Sequence, residues 1–148
     1  MTIYVDADAF PRSLRDILLR ASKRLTIPVT FVANRYIRLP DSDLLTCIVA
    51  AEGPDQADDR IAELATEGDL VITADVPLAD RVVESGATAL DPHGTLYTED
   101  NIKERLATRD LMADLRDTGL VTGGPESFGP KDVQSFADGL NRLLSSVG

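Results

Sequence analysis

Apolar and polar positions along the chain switch between a two-residue and a 3.6-residue period. Residues 3–6 (IYVD) form an apolar run that closes on a carboxylate and predict a short buried strand. Pro11 then suits the first turn of a helix whose apolar positions Leu14, Ile17, Leu18, Ala21 and Leu25 recur at the spacing of one helical face. Residues 28–33 (PVTFVA), β-branched and aromatic, predict a second strand. Residues 44–51 (LLTCIVAA) predict a third, expected at the centre of the sheet because the run is apolar. Gly53 and Pro54 punctuate the chain, and Asp55 reads as the N-cap of a helix that runs through Glu67 and stops at Gly68. GDLVITAD (68–75) follows as a fourth strand, Pro77 enters the first turn of a helix ended by Gly86, and ATAL (87–90) is a short fifth strand. Residues 101–117 predict a charged helix with Ile102, Leu106 and Leu115 toward the core, and 131–144 a last helix presenting Val133, Phe136, Ala137, Leu140 and Leu144. The Gly- and Pro-rich stretch GLVTGGPESFGP between them reads as a loop. Strands alternating with helices predict a three-layer α/β/α sandwich with a mostly parallel sheet, and the length suits a single domain over 1–148.

Composition narrows the class. With 43% hydrophobic and 27% charged residues the chain reads as globular, and no stretch approaches the roughly 20 apolar residues of a membrane span. MTIYVDADAF has no basic n-region, so no secretory signal is expected, and the single cysteine, Cys47, reads as a small buried hydrophobe in a reducing cytoplasm. The net charge of −10 argues against a general nucleic-acid coat protein. That charge is unevenly spread: residues 1–40 hold seven Lys or Arg against three acids, a balance of +4, while the remainder hold eight against 22, a balance of −14. A basic face beside an acidic pocket suits a metal-dependent enzyme acting on a phosphodiester; a solvated helix surface accounts for the same bases equally well.

The candidate chemistry lies in the carboxylates. Asp6 and Asp8 end the first strand, Asp75 ends the fourth, and Asp58 and Asp59 stand in the first turn of the helix that leads into the fourth. Sites in open parallel sheets form beyond the carboxyl ends of strands, and a cluster of like charges there suits Mg²⁺ or Mn²⁺, which take oxygen ligands. Each acid also has a plain structural role: Asp55 and Asp75 as helix caps, Asp58 and Asp59 as favourable charges at a helix N-terminus, only one of which is expected to face the site. His93, the sole histidine, lies in the turn signature DPHG and reads as a solvent-facing turn residue. One His and one Cys leave no ligand supply for zinc, and neither GxxxxGK[ST] nor GxGxxG occurs. Arg12, Arg35 and Arg38 are candidates to clamp a phosphate backbone, with solvated arginines as the alternative, and Ser127 and Phe128 line a pocket or pack a loop onto the core.

VDADAFP, ADDRI, DLVITADVPLA, DPHGTLYTEDNI, TRDLMADLRDTG, GGPESFGPKD and FADGLNRLL occur in this order along the chain. Together they resemble the YaiI/YqxD family of uncharacterised bacterial proteins. The resemblance implies a PIN-like domain, related to metal-dependent ribonucleases in which acids at strand ends and at a helix start bind Mg²⁺ or Mn²⁺. Carried over by motif, it implies metal-ligating or catalytic roles for Asp6, Asp8, Asp75 and one of Asp58 and Asp59. Phe10 stands where the family pattern has Cys, so no thiol chemistry is expected at that position.

The first expectation for function is therefore a Mg²⁺- or Mn²⁺-dependent phosphodiesterase acting on RNA, with the arginines holding the strand. The alternatives are a haloacid-dehalogenase-like phosphatase using Asp6 as nucleophile and Asp8 as acid, and a non-enzymatic domain that binds RNA or a protein. With only 5% aromatic residues, backbone contacts are expected to dominate over stacking.

Overall fold

A computed structural model describes residues 1–51, 53, 55–117 and 129–145. Pro54, Ser127, Phe128 and the side chain of Leu115 lie outside the described residues. The elements are β1 (Ile3–Asp6), α1 (Arg12–Leu25), β2 (Val29–Ala33), β3 (Leu45–Val49), α2 (Gln56–Leu64), β4 (Leu70–Ile72), α3 (Val76–Glu84), β5 (Thr88–Leu90), β6 (Leu96–Tyr97), α4 (Glu99–Asp117) and α5 (Pro130–Leu144), with a 3-10 turn at Ala7–Ala9. They form an α/β fold around one six-stranded sheet of order β3-β2-β1-β4-β5-β6. All neighbours are parallel except β5 and β6.

Strand β1 is central. Ile3 aligns with Val29 of β2 on one side and Leu70 of β4 on the other, so the strand is covered along both edges and Ile3 and Val5 are fully buried. On one face Ile3, Val5, Phe31 and Ile72 pack with Leu14 and Leu18 of α1 and Phe136 and Leu140 of α5. On the other, Val32, Val71 and Ala89 pack with Ile61 of α2, Leu78 and Val82 of α3 and Ile102 of α4. Each of these large side chains, once fully buried, contributes roughly 1.5–3 kcal/mol. The result is the three-layer sandwich that the alternating pattern predicts.

Three local expectations need correction. The apolar run at β3 is an edge strand and not a central one: it pairs only with β2, its helix α2 packs over β1 and β2, and Val49 is left 52% exposed. An apolar run therefore did not report burial on both faces here. Cys47, on that edge, is half-buried, and its Sγ accepts a hydrogen bond from the Ile37 backbone N–H at 3.5 Å. Helix α2 stops at Leu64, three residues before Glu67, because Ala65 turns to extended backbone (φ −70°, ψ 131°). Strand β6, two residues long, was too short to leave a periodic signal.

Candidate functional site

The strand order 3-2-1-4 makes the chain run outward in opposite directions from β1 and β4, which opens a crevice at the carboxyl ends of those two strands. Asp6, the last residue of β1, is buried there at 8% exposure. Its Oδ2 accepts a hydrogen bond from the Thr73 hydroxyl at 2.9 Å, and the Thr73 oxygen in turn accepts from the backbone N–H of Asp75 at 3.0 Å. Asp75 also caps α3, its Oδ1 accepting from the Leu78 N–H at 2.9 Å. The capping reading of Asp75 and its place at the strand edge are thus both realised, because the cap uses one carboxylate oxygen and leaves the other.

The first turn of α2 separates its two acids. Asp59 turns outward to an ion pair with Arg81 at 2.8 Å, whereas Asp58 is half-buried and shares a hydrogen bond with Asp75. Adjacent helical positions point about 100° apart, so one of the pair had to leave. Asp55 occupies the N-cap position with a left-handed backbone (φ 67°), but its side chain makes no capping hydrogen bond. The expected cap is therefore absent, and Asp55 faces the same cavity as the other acids. Asp8 sits in the 3-10 turn after β1, where its carboxylate accepts from the Asn34 N–H at 3.1 and 3.3 Å.

Asp6, Asp8, Asp55, Asp58 and Asp75, with Asn34, line a cavity of about 230 Å³. None of its lining residues is basic. The crowding shows in the carboxyl groups. Burial pushes Asp6 up, the Thr73 hydroxyl opposes that, and the charges of Asp75 and Asp8 add to it. Asp58 is pushed up to about 7, first by burial, then by the charges of Asp6 and Asp75, the hydrogen bond to Asp75, and Asp55. The crowding favours the protonated forms of these acids over the ionised ones.

As donors, five carboxylates and an amide fit Mg²⁺ or Mn²⁺ and exclude softer metals. They do not form a closed cage: among the described residues no group of three or more His, Cys, Asp or Glu is placed to hold a metal ion by itself.

A second cavity of about 490 Å³ adjoins the first and shares Asp8 with it. Arg12 and Arg15, one turn apart at the start of α1, line it together with Arg35, Tyr36 and Arg38 from the segment between β2 and β3. The arginines expected from the sequence to hold a phosphate backbone, Arg12, Arg35 and Arg38 with Arg15, thus line one place, and Tyr36 joins them. A larger cavity of about 520 Å³, between α1 and residues 40–45, is lined by both charge signs and lies apart from the acids. His93 is exposed in its turn, where its backbone N–H and its Nδ1 both contact Asp91. Asn34 and Thr73 are the site residues that sequence reasoning passed over, while Asp55 was expected only as a helix cap. Thr73 carried a signal in standing two residues before Asp75 at the end of β4; Asn34 carried none.

Residues 4–146 match the family described as "Uncharacterized BCR, YaiI/YqxD family". The chain is 54% identical over 147 residues to a UPF0178 protein of Trichlorobacter lovleyi, covering 99% of this chain and 96% of the relative. It is 50% identical over 145 residues to a UPF0178 protein of Maridesulfovibrio salexigens (98% and 96% covered) and 46% identical over 145 residues to one of Sulfurovum sp. (98% of each). No solved structure matches the chain.

Proposed function

The chain belongs to the YaiI/YqxD family, and from that membership and the geometry at the sheet edge we propose that it is a Mg²⁺- or Mn²⁺-dependent phosphodiesterase acting on RNA. The observation that carries the reading is the juxtaposition at Asp8: a cavity with five carboxylates and no base at the ends of β1 and β4 lies beside a cavity lined by four arginines. A phosphodiester needs positive charge to be held and a cation to be attacked, and acids without bases are of use to such a substrate only when they bind that cation. The PIN-like resemblance points the same way.

Asp6 and Asp75, fixed at the strand ends, are the residues that would hold the cation together with its own waters; when bound, the cation would polarise the phosphoryl group and lower the pKa of the attacking water. Thr73 fixes Asp6 through its hydroxyl, and the N-cap geometry fixes Asp75, so both carboxylates are held before substrate arrives. Asp58, whose carboxyl is pushed up to about 7, lies beside them and is suited to exchange a proton with solvent or substrate. Asp8, pinned by Asn34, stands on the wall between acids and arginines. Asp59 is left to its ion pair with Arg81. The phosphatase reading also needs a lysine beside the acids, and no lysine lines the cavity.

The test is hydrolysis of end-labelled single-stranded RNA and of a chromogenic phosphodiester with Mg²⁺, with Mn²⁺ and with chelator. Metal-dependent cleavage is expected for wild type and for Asp59→Asn. Asp6→Asn and Asp75→Asn should lose about a hundredfold or more, the scale of removing a group that stabilises transition-state charge. A folded wild type inactive with every metal, or an Asp6→Asn variant as active as wild type, would sink the proposal.

A further inference from the structure

The arginine cavity is unusual in a chain with 25 acidic residues against 15 Lys and Arg. Arg12, Arg15, Arg35 and Arg38 converge on it with Asp8 as the one acid in its lining, and that carboxylate is already engaged by the Asn34 N–H. Among the described residues, none of the four arginine side chains makes an ion pair with an acid. The Nε of Arg15 is buried and has no hydrogen-bond partner. A buried guanidinium donor without an acceptor is costly, and four unneutralised guanidiniums in one cavity repel one another. The repulsion among the guanidiniums falls when a multiply charged oxyanion enters.

The segment that carries half of the cavity is held in place. Asn34 is tied to Asp8, and the Ile37 N–H is tied to Cys47 on β3, so Arg35 and Tyr36 lie between two anchors. Tyr36 is 72% exposed, the most exposed large apolar side chain among those described, although it lines a cavity. An aromatic ring left in water beside a cluster of arginines is what a nucleobase needs in order to stack. The volume, about 490 Å³, is within the range of pockets that take one small organic ligand, a nucleotide among them.

We propose that this cavity is a terminal-phosphate anchor, in which the four arginines take the phosphate monoester at the end of a single-stranded nucleic acid and Tyr36 stacks on its terminal base. A monoester carries up to two charges where an internal diester carries one, and four guanidiniums without counter-ions match the larger charge. Because the two cavities share Asp8, a strand seated by its end presents a phosphodiester close to that end to the acids. The anchor deepens the phosphodiesterase reading and rests on it for its purpose, but it is tested by binding alone.

The experiment is fluorescence polarisation in chelator, so that no cleavage contributes, with short labelled single-stranded oligonucleotides that carry a 5′-phosphate, a 3′-phosphate or neither. Wild type should bind one phosphorylated form about tenfold or more tightly than the unphosphorylated one, as expected for added charge-assisted hydrogen bonds, and the preferred end gives the direction of the strand. In Arg15→Ala and in Arg35→Ala, the latter on an exposed side chain that folding does not need, that preference should shrink to about twofold or less. Tyr36→Ala should weaken phosphorylated and unphosphorylated strands alike, by about five- to a hundredfold, while Tyr36→Phe should retain binding. Equal binding of all three strands by wild type, or a preference that survives both arginine variants, would overturn the anchor. A preference for a phosphorylated end in a protein that cleaves nothing would keep the anchor and reject the hydrolase.

Discussion

At the scale of single residues, Asp58 carries the sharpest pH signature. Its carboxyl is pushed up to about 7 from an ordinary 3.8, so the native state binds that proton more tightly than the unfolded chain does. The ionised form therefore destabilises the fold above about pH 7, the cost fades as pH falls, and it is gone below the unfolded value near 4. Asp58→Asn removes the cost and retains a donor toward Asp75. Without metal it should be more stable than wild type by about 1–2 kcal/mol at pH 7.5, a figure reduced from the full linkage value because water screens a half-buried group. Urea denaturation at pH 7.5 and pH 4.5 checks this, and an equal gap at the two pH values would contradict it. That Asp58 and not its neighbour faces the cavity was beyond the sequence, since both are equally welcome in a helix's first turn and only the position of Arg81 separates them.

At the scale of elements, the turn over residues 91–95 sits directly on α5. Gly94 has φ +95°, and a Cβ there would stand 2.5 Å from the backbone oxygen of Ser135, which cannot swing aside. Gly68 has a similar φ of +90° with nothing within 4 Å. Gly68→Ala should cost about 1–2 kcal/mol, the penalty of left-handed backbone alone. Gly94→Ala should cost about 2–4 kcal/mol because overpacking is added. Chemical denaturation of the two variants compares them directly, and equal losses would mean that the turn lifts off α5 without cost. The DPHG turn was legible as a turn from its Pro and Gly. Its seat against α5 was not, because the contact joins residues about forty apart. The same limit explains β3, where an apolar run was read as central although its place in the sheet depended on where α2 packed.

At the scale of the whole molecule, the acids at the edge make stability depend on cations. Burial and the neighbouring charges push Asp6 up, so its ionised form costs stability at neutral pH and less in mild acid. Without metal at neutral pH, Asp6→Asn should melt a few degrees above wild type, with the gap narrowing in mild acid. Mn²⁺ at about a hundred times its dissociation constant should stabilise wild type by about 2.7 kcal/mol and leave the variant nearly unmoved, reversing the order. Thermal scans with and without Mn²⁺ at two pH values separate the outcomes. Coincident curves for both proteins would mean that β1 ends in water and that no cation binds at its edge.

What the sequence determined by itself was whatever depends on neighbours in the chain. Helix α1 was legible because its apolar positions repeat every turn, α3 because Asp75 and Pro77 mark its start and Gly86 its end, and β1 and β4 because apolar runs close on Asp6 and just ahead of Asp75. The alternation of strands and helices implied a parallel sheet with acids at one edge. Only the tertiary structure decided that β1 lies between β2 and β4, and with that order it set Asp6 against Thr73, Asp58 against Asp75, and Asp8 against Asn34. Strand order and the facing of side chains result from hydrogen bonding and burial summed over the chain, and no local pattern carries that sum.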